Sequence, residues 1–347
     1  MKKILALVLA LAMVATLAAC GGASEAEYKL GMGISVSLDS SADADVEKDK
    51  GATAQADATV AVVVLDKDGK IVAADLDCAQ TKVTVKDGKI VDKDKVDVRT
   101  KKEKKEDYNM KGASPIGKEW YEQAAAFVEK MIGKTVADIE AITTEEKNGH
   151  QVATDADLYA ACTMDITAFQ AAFVAACKDA QGKTFTAAEG FKLGLDVDTD
   201  VSGSTDAGDK NATAQLYSTF GAIVVDADGK TVAALVDEIQ PKVEVDADGK
   251  IAAKNYVNTK RNLKEDYNMV KYSPEGTCIA EWYVQAADLT DYIAEKAMTA
   301  TEIKAIATAD TREDGYMRPT DADLAAVCTI QIAGYQTVLA NAADAAK

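Results

Sequence analysis

Apolar and polar residues alternate along three segments in the first part of the chain. These segments are residues 53–65, 70–80 and 81–91. Alternation with a period of two is typical of β-strands that bury one face. The pairs Asp68-Gly69 and Asp87-Gly88 interrupt the pattern, and Asp-Gly favours the tight turns of β-hairpins. The pattern therefore predicts an antiparallel β-meander.

Further along the chain the spacing of apolar residues becomes helical. Two segments repeat apolar residues every three or four positions, which predicts two amphipathic helices. The first segment contains Trp120, Ala124, Phe127, Val128 and Met131. The second, predicted as a single helix, contains Leu158, Cys162, Ile166, Phe169, Phe173 and Cys177. Cys162 and its counterpart Cys328 are interpreted as core residues of the face that packs on the sheet.

The second half of the chain repeats the first at a distance of roughly 160 residues. The hexapeptide Lys105-Glu-Asp-Tyr-Asn-Met110 recurs unchanged at residues 264–269, and the turns and helical segments recur in the same order. We predict an α+β fold of two tandem repeats, each an antiparallel β-meander packed by two amphipathic helices. The predicted domains are residues 28–180 and 187–347, each of ordinary domain size.

The first twenty residues have the features of a secretory signal. Lys2 and Lys3 precede an apolar stretch that ends in Leu17-Ala-Ala-Cys20 and is short for a transmembrane helix. Its last four residues resemble a bacterial lipobox. The resemblance implies that residues 1–19 are removed, that Cys20 is lipidated, and that residues 20–27 tether the protein to the extracytoplasmic face of the cell membrane.

Composition narrows the functional classes. The formal net charge of −18 disfavours binding to nucleic acid and to anionic lipid surfaces. The single histidine, His150, disfavours a hydrolase with a catalytic triad and a histidine-based metal site. The later cysteines show no disulfide pattern. The acidic residues Asp196, Asp198 and Asp200 are predicted to lie in a solvated loop, the Asp-Gly turns lack the calcium-loop register, and no metal site is predicted.

Several motifs of the first half occur in the order found in a known domain family. Asp87-Gly-Lys-Ile90 is followed by Ala113-Ser-Pro-Ile-Gly117, and later by a segment that begins at Asp157 and contains Thr163. These motifs resemble the DGKI turn, the ETPG(L/I)G loop and the DxxSGATxTSxAV signature of the FMN-binding domain of extracytoplasmic electron-transfer lipoproteins. The Ser-Gly of that signature is replaced by Ala160-Ala161 and, in the second half, by Ala326-Val327.

The resemblance implies that FMN is attached through a phosphoester to Thr163 and to Thr329, with a preceding aspartate in the attachment signal. It implies a Ser-Pro loop beside the cofactor in each half. The recurring basic loop adds Tyr108 and Tyr267, whose rings fit either stacking on a planar ligand or packing of the loop on the sheet. The cofactor-binding residues that we predict are Thr163, Thr329, Asp157, Asp323, Ser114, Pro115, Ser273, Pro274, Tyr108 and Tyr267.

Two of these features have a second interpretation. Thr154 and Thr320 fit the N-caps of helices that continue through both attachment threonines, and such helices would occupy the backbone N–H groups that a phosphate needs. The basic clusters at 100–102 and 259–261 fit either an anion site beside the tyrosines or a solvated loop.

Two functions agree with the sequence. The first is a membrane-anchored electron-transfer lipoprotein that binds FMN at two similar sites, serves a membrane redox partner and uses no catalytic side chain, because the cofactor supplies the chemistry. The alternative is a non-catalytic cell-envelope lipoprotein that binds a ligand or a partner and keeps the fold without a cofactor. Either function is favoured over a stand-alone enzyme.

Overall fold

A computed structural model describes residues 25–180 and 182–347. The predicted signal segment and Cys20 lie outside the described residues. This part of the chain combines α-helices with antiparallel sheets. Its helices are all too short or too polar to span a bilayer.

Each half begins with a run of strands, which is followed by helices and a short two-stranded hairpin. The strands of the first half are β1 (Ala26–Ser37), β2 (Ala52–Leu65), β3 (Ile71–Lys86), β4 (Lys89–Ile90), β5 (Thr144–Lys147), β6 (His150–Ala153) and β7 (Thr184–Ala187). Its helices are α1 (Lys101–Lys104), α2 (Trp120–Met131), α3 (Val136–Glu140), α4 (Ala156–Ala161) and α5 (Thr167–Asp179). The strands of the second half are β8 (Lys192–Asp200), β9 (Ala212–Gln215), β10 (Tyr217–Val225), β11 (Thr231–Ile239), β12 (Lys242–Val245), β13 (Ile251–Asn255), β14 (Thr308–Ala309) and β15 (Arg318–Pro319). Its helices are α6 (Lys260–Leu263), α7 (Met269–Tyr272), α8 (Trp282–Glu295), α9 (Ala300–Lys304), α10 (Ala322–Ala325) and α11 (Ala333–Ala345).

The main sheet of the first half has the order β4-β3-β2-β1-β7, and the second half has sheets of order β11-β10-β8 and β13-β12-β9. The predicted strand boundary at Gln80 and Thr81 is wrong, because both residues stay in the ladder with β2 and β3 runs through them. In the second half, Pro241 does separate β11 from β12. Proline has no N–H to donate and so ends a regular ladder.

The predicted Asp-Gly turns are confirmed. Gly69 and Gly88 adopt positive φ angles of 75° and 72° between consecutive antiparallel strands. The predicted loop at Asp196, Asp198 and Asp200 is wrong, because these residues belong to β8. Their side chains alternate with buried apolar residues of the same strand, a pattern that the acidic composition obscured.

The last predicted helix of the first half is two helices. α4 ends at Ala161, Cys162 is extended with φ −144° and ψ 111°, and α5 begins at Thr167. The N-cap of α4 is Asp155 and not Thr154, since the Asp155 carboxylate accepts a backbone N–H of the first turn at 2.8 Å. A similar break separates α10 from α11.

The cysteines at these breaks lie in the core. Cys162 and Cys328 are buried, and burial raises the pKa of the Cys162 thiol to about 11 and that of Cys328 to about 12. Thiols of such high pKa stay protonated and are poor nucleophiles. Their assignment as core residues is confirmed.

Helices and sheets pack in four layers. Val63 and Leu65 of β2 face α2 and α5, whereas Val62 and Val64 face the apolar side of the β8-β10-β11 sheet. The strand β10 divides its side chains in the same way between α8 and α11 on one side and the first sheet on the other. Because side chains alternate along a strand, β2 and β10 are buried on both faces.

Glycine allows one helix in each half to lie directly on a strand. A Cβ at Gly31 would lie 2.1 Å from the carbonyl oxygen of Ala176, and a Cβ at Gly194 would lie 1.8 Å from that of Ala342. These distances are far below van der Waals contact, so a side chain at either place would move the helix away from the sheet.

We expect Gly194→Ala to lower the free energy of unfolding by about 1–3 kcal/mol, because the helix α11 must shift to admit a methyl group. Urea denaturation of the full chain measures the change. The control is Gly208→Ala, at an exposed glycine with no atom within 4 Å of the new Cβ, and its effect should stay below about 1 kcal/mol. Equal stabilities of the two variants would contradict the close packing of α11 on β8.

Candidate functional site

Thr163 lies in the break between α4 and α5 and not inside a helix. Its backbone N–H and its hydroxyl donate to the same atom, Oε1 of Gln123, at 2.9 and 3.1 Å. Gln123 is fully buried on α2, and its Nε2 donates to Ser114 Oγ at 3.0 Å and to the carbonyl oxygen of Lys118 at 3.1 Å. The interpretation in which a continuous helix occupies this N–H is therefore wrong, although the N–H is engaged by a side chain.

Thr329 has the same arrangement in the second half. Its N–H and hydroxyl donate to Oε1 of Gln285 at 2.6 and 3.0 Å. Gln285 is also fully buried, and its Nε2 donates to the carbonyl oxygen of Ala280 at 2.6 Å and contacts Cys278 Sγ at 3.5 Å. Both threonines that the motif resemblance marks for cofactor attachment are thus bound by an internal glutamine.

The predicted attachment aspartates lie on the surface. Asp157 and Asp323 are exposed in the first turns of α4 and α10. Asp323 lies 3.7 Å from Lys296 Nζ. The capping role belongs to Asp155 and Asp321, which accept backbone N–H groups of these turns. Asp157 and Asp323 are therefore helix-surface residues in this structure.

The two Ser-Pro loops differ in structure. Ser114 accepts the hydrogen bond from Gln123, and Pro115 is exposed beside it. In the second half Cys278, and not Ser273, contacts the equivalent glutamine. Pro274 instead accepts hydrogen bonds from the backbone and hydroxyl of Thr277 at 3.0 and 2.6 Å.

Two buried aspartates hold the loops that carry the basic clusters. Asp77 accepts the N–H of Lys102 at 3.1 Å, and Asp237 accepts that of Arg261 at 3.0 Å. Burial raises the pKa of both carboxyl groups to about 6. These two contacts hold one loop against β3 and the other against β11.

The cluster at 259–261 is engaged by carboxylates. Arg261 donates two hydrogen bonds of 3.0 Å to Asp179, across the boundary between the halves. Lys260 forms an ion pair with Glu238, and the two residues are only 7% and 3% exposed. The solvated-loop interpretation is wrong for Lys260, whose charge is neutralised in the interior.

Aromatic rings surround the Lys260 ammonium. Its Nζ lies 5.3, 5.0 and 5.4 Å from the ring centroids of Tyr217, Tyr267 and Trp282. Cation–π contacts of this kind stabilise a desolvated cation. Lys260 Nζ also donates to the Tyr217 hydroxyl at 3.2 Å. The ammonium is therefore fixed by one carboxylate, one hydroxyl and three rings.

Two phenols complete this buried group. Trp282 Nε1 donates to the Tyr335 hydroxyl at 2.8 Å, and Thr219 donates to Glu238 Oε1 at 3.3 Å. Burial, and then the negative charge of Glu238, raises the pKa of Tyr335 and of Tyr217. Both phenols therefore remain protonated at neutral pH.

Lys101, the counterpart of Lys260 in the first half, has no carboxylate in the position of Glu238. Lys101 lies 5.1 Å from the ring centroid of Tyr108 and 5.7 Å from that of Trp120. The residue after the loop-holding aspartate is Cys78 in this half and Glu238 in the other. Across the described ranges, Lys101 forms no ion pair.

The Lys260–Glu238 pair forms the base of an open cleft of about 1140 Å³ in the second half. A cleft of this size accommodates a cofactor. Its aromatic lining is Tyr217, Tyr267, Tyr272, Trp282, Tyr316 and Tyr335. Four predicted residues, Tyr267, Ser273, Pro274 and Thr329, line this one cleft. In the first half, Ser114 and Thr163 meet at Gln123 while Tyr108 packs beside Lys101.

Sequence reasoning missed the residues that connect these parts. Gln123 and Gln285 belong to a Gln-Ala-Ala segment present in both halves, so the repeat itself carried a signal for them. Glu238 had none, because the first half has Cys78 in its place. Within residues 25–180 and 182–347, no cluster of three or more His, Cys, Asp or Glu residues is arranged to bind a metal ion.

The cleft fits part of the cofactor that the motif resemblance implies. Its aromatic walls suit a flavin ring. The phosphoester does not fit, because Gln285 takes the Thr329 N–H and hydroxyl, and Leu324 accepts the N–H groups of Val327 and Cys328 at 3.1 and 2.8 Å. A phosphate at Thr329 would find these donors already engaged.

We expect Lys260→Met to lower the free energy of unfolding by about 3–5 kcal/mol, because it leaves the Glu238 carboxylate buried without its partner. The double variant Lys260→Met with Glu238→Gln should recover most of the loss. The matched control is Lys101→Met, which removes a lysine without breaking an ion pair and should cost less. Thermal and urea unfolding measure all three, and a double variant no more stable than Lys260→Met alone would contradict the coupling.

Comparison with known proteins finds no matching family model, no matching curated protein and no matching solved structure. The family resemblance of the sequence motifs therefore stays a prediction.

Proposed function

We propose that the protein is a lipid-anchored, extracytoplasmic electron-transfer protein that binds flavin in the cleft of its second half. One observation carries the proposal. Tyr267, Ser273, Pro274 and Thr329 were each predicted from a family motif or from the repeated loop, and they line a single open cleft although up to 62 residues separate them. Motif residues distant in sequence that line one cleft are typical of a binding site.

The lining of the cleft supports a flat ligand with several polar groups. Tyr267 lies half-buried beside the neutralised Lys260–Glu238 pair, and the rings of Tyr272 and Tyr316 stand at the exposed rim. FMN is the form of flavin that the motif resemblance implies. Because Gln285 already accepts the N–H and the hydroxyl of Thr329, non-covalent binding is favoured over covalent attachment. We therefore propose one flavin site and not two similar sites.

We also propose that the chain consists of two copies of one domain related by a pseudo-two-fold axis. The Thr163–Gln123 and Thr329–Gln285 contacts support this, since they occur at equivalent positions. Contacts between the halves support it as well. Asp43 accepts the N–H of Ile251 at 2.7 Å, and Asp206 accepts the N–H of Ile90 at 2.8 Å, which is a reciprocal pair.

A lipid on Cys20 would hold the folded body close to the membrane, because Cys20 precedes β1 by only six residues. Such a position suits exchange of electrons with a redox partner in the membrane. The overall negative charge of the chain would keep the body from lying flat on anionic lipids.

A second function is favoured by a specific observation. Gln123 and Gln285 satisfy the threonines at which the cofactor would be attached, as expected of a domain that has kept its fold and lost covalent flavin. In that case the cleft serves a cell-envelope binding protein whose ligand is not a flavin. The flavin titration below separates the two functions.

We expect riboflavin and FMN to lose fluorescence when the purified full chain is added, because the ring stacks on the tyrosines of the cleft. Tyr272→Ala, at a side chain 76% exposed on the rim, should weaken flavin binding by about tenfold without affecting folding. The control, Tyr108→Ala in the first half, removes a tyrosine that lies outside this cleft and should leave the affinity unchanged. Absence of quenching with either flavin would contradict flavin binding and favour the second function.

Mass spectrometry distinguishes the mode of binding in the same samples. Denaturation should release any flavin, and the mass of the chain should equal that of the Thr163→Ala, Thr329→Ala double variant apart from the two substitutions. A flavin that stays on the denatured wild-type chain and vanishes in the double variant would contradict non-covalent binding.

We expect Cys20→Ser to move the protein from the membrane fraction to the soluble fraction, because the lipid would be lost. Fractionation and immunoblotting measure the distribution, with Cys278→Ser as the control that keeps the membrane location. Retention of the Cys20→Ser protein in the membrane fraction would contradict a lipid anchor at this residue.

A further inference from the structure

The charged side chains that line the second-half cleft disfavour an anionic ligand. Four carboxylates line the cleft, those of Asp198, Asp200, Glu238 and Asp314, against the three cations Lys260, Arg312 and Arg318. The lining therefore carries a net charge of −1 before any ligand enters. A site built for a phosphate normally presents the opposite balance.

Two of the three cations are already engaged by carboxylates. Lys260 is paired with Glu238 at the base. Arg318 donates to both carboxylate oxygens of Asp314 at 2.8 and 2.7 Å, and its Nε donates to the carbonyl oxygen of Thr329 at 2.9 Å. A phosphate would have to displace a carboxylate from a formed ion pair, which removes most of the gain from binding it.

The third cation is a weak anion site. Arg312 is exposed and donates through Nη1 to the carbonyl oxygen of Thr277 at 2.5 Å. An exposed guanidinium is screened by solvent and contributes little to binding by itself. The backbone near Thr329 offers a phosphate no further donors, since Gln285 and Leu324 already accept the N–H groups of residues 327–329.

Two carboxylates on β8 add repulsion. Asp198 and Asp200 lie on the same side of the strand, and neither forms an ion pair within the described part of the chain. Burial and the neighbouring Asp200 charge raise the pKa of Asp198, as expected where negative charge is already concentrated. A phosphate dianion in the cleft would add to this charge.

We propose that the cleft selects a flavin without phosphate, so that riboflavin binds more tightly than FMN. The inference rests on the proposed function, because it concerns the ligand of the same cleft. The ring stacks on the aromatic walls, and the uncharged ribityl hydroxyls meet the hydroxyl and amide groups of Ser273, Thr277 and Gln331. The phosphate of FMN meets engaged cations and unpaired carboxylates.

Fluorescence titration of the full chain with riboflavin and with FMN tests the selection. At low salt we expect the dissociation constant of riboflavin to be at least about fivefold lower than that of FMN, and we expect the ratio to shrink at high salt as charges are screened. The double variant Asp198→Asn, Asp200→Asn should reduce the ratio by improving FMN binding. The control Asp87→Asn, Asp94→Asn removes the same charge from exposed positions of the first half and should leave the ratio unchanged.

The outcomes separate this inference from the proposed function. FMN binding as tightly as riboflavin, or more tightly, would overturn the selection while flavin binding stands. A ratio that does not respond to the Asp198 and Asp200 changes would overturn the electrostatic cause. Quenching of neither flavin would overturn both the selection and the flavin function.

Discussion

The apolar contact between the two main sheets is the constraint on which the rest of the structure depends. In β2 alone, Val63 and Leu65 are covered by helices, and Val62 and Val64 are left for the other half to cover. Removing that second face from water is a main source of stability for both halves. Once the sheets meet, the loops at their ends come together, and Asp43 and Asp206 bind the opposite hairpins.

The two halves have the same structural supports, but the surroundings of the lysine in each half differ in charge. Gly31 and Gly194 let a helix lie on a strand, and Asp77 and Asp237 hold the loops that carry lysines. The residue after each aspartate then sets the electrostatics. Glu238 neutralises the buried lysine of the second half, whereas Cys78 leaves Lys101 to its aromatic neighbours. The two halves therefore hold their lysine loops in the same way and differ in one buried carboxylate, that of Glu238.

Local sequence patterns predicted the parts of the fold that depend on neighbouring residues. The Asp-Gly turns at Gly69 and Gly88 and the helix α2 are where the periodicity placed them. The errors have physical causes. The break at Cys162 was hidden because apolar residues on both sides of it face one core, so the spacing reads as one helix. The strand β8 was hidden because acidic residues occupy its outward positions.

The sequence by itself determined the turns, the amphipathic segments and the residue types available for a site, since these follow from local backbone preferences and side-chain chemistry. Only the tertiary structure decided which of them meet. It placed Tyr267 and Thr329 in one cleft, left Asp157 and Asp323 on the surface, and put Gln285 against the threonine. It also paired Lys260 with Glu238 across 22 residues of chain. Such contacts depend on how sheets and helices stack, and the energy of stacking is not encoded in any single segment.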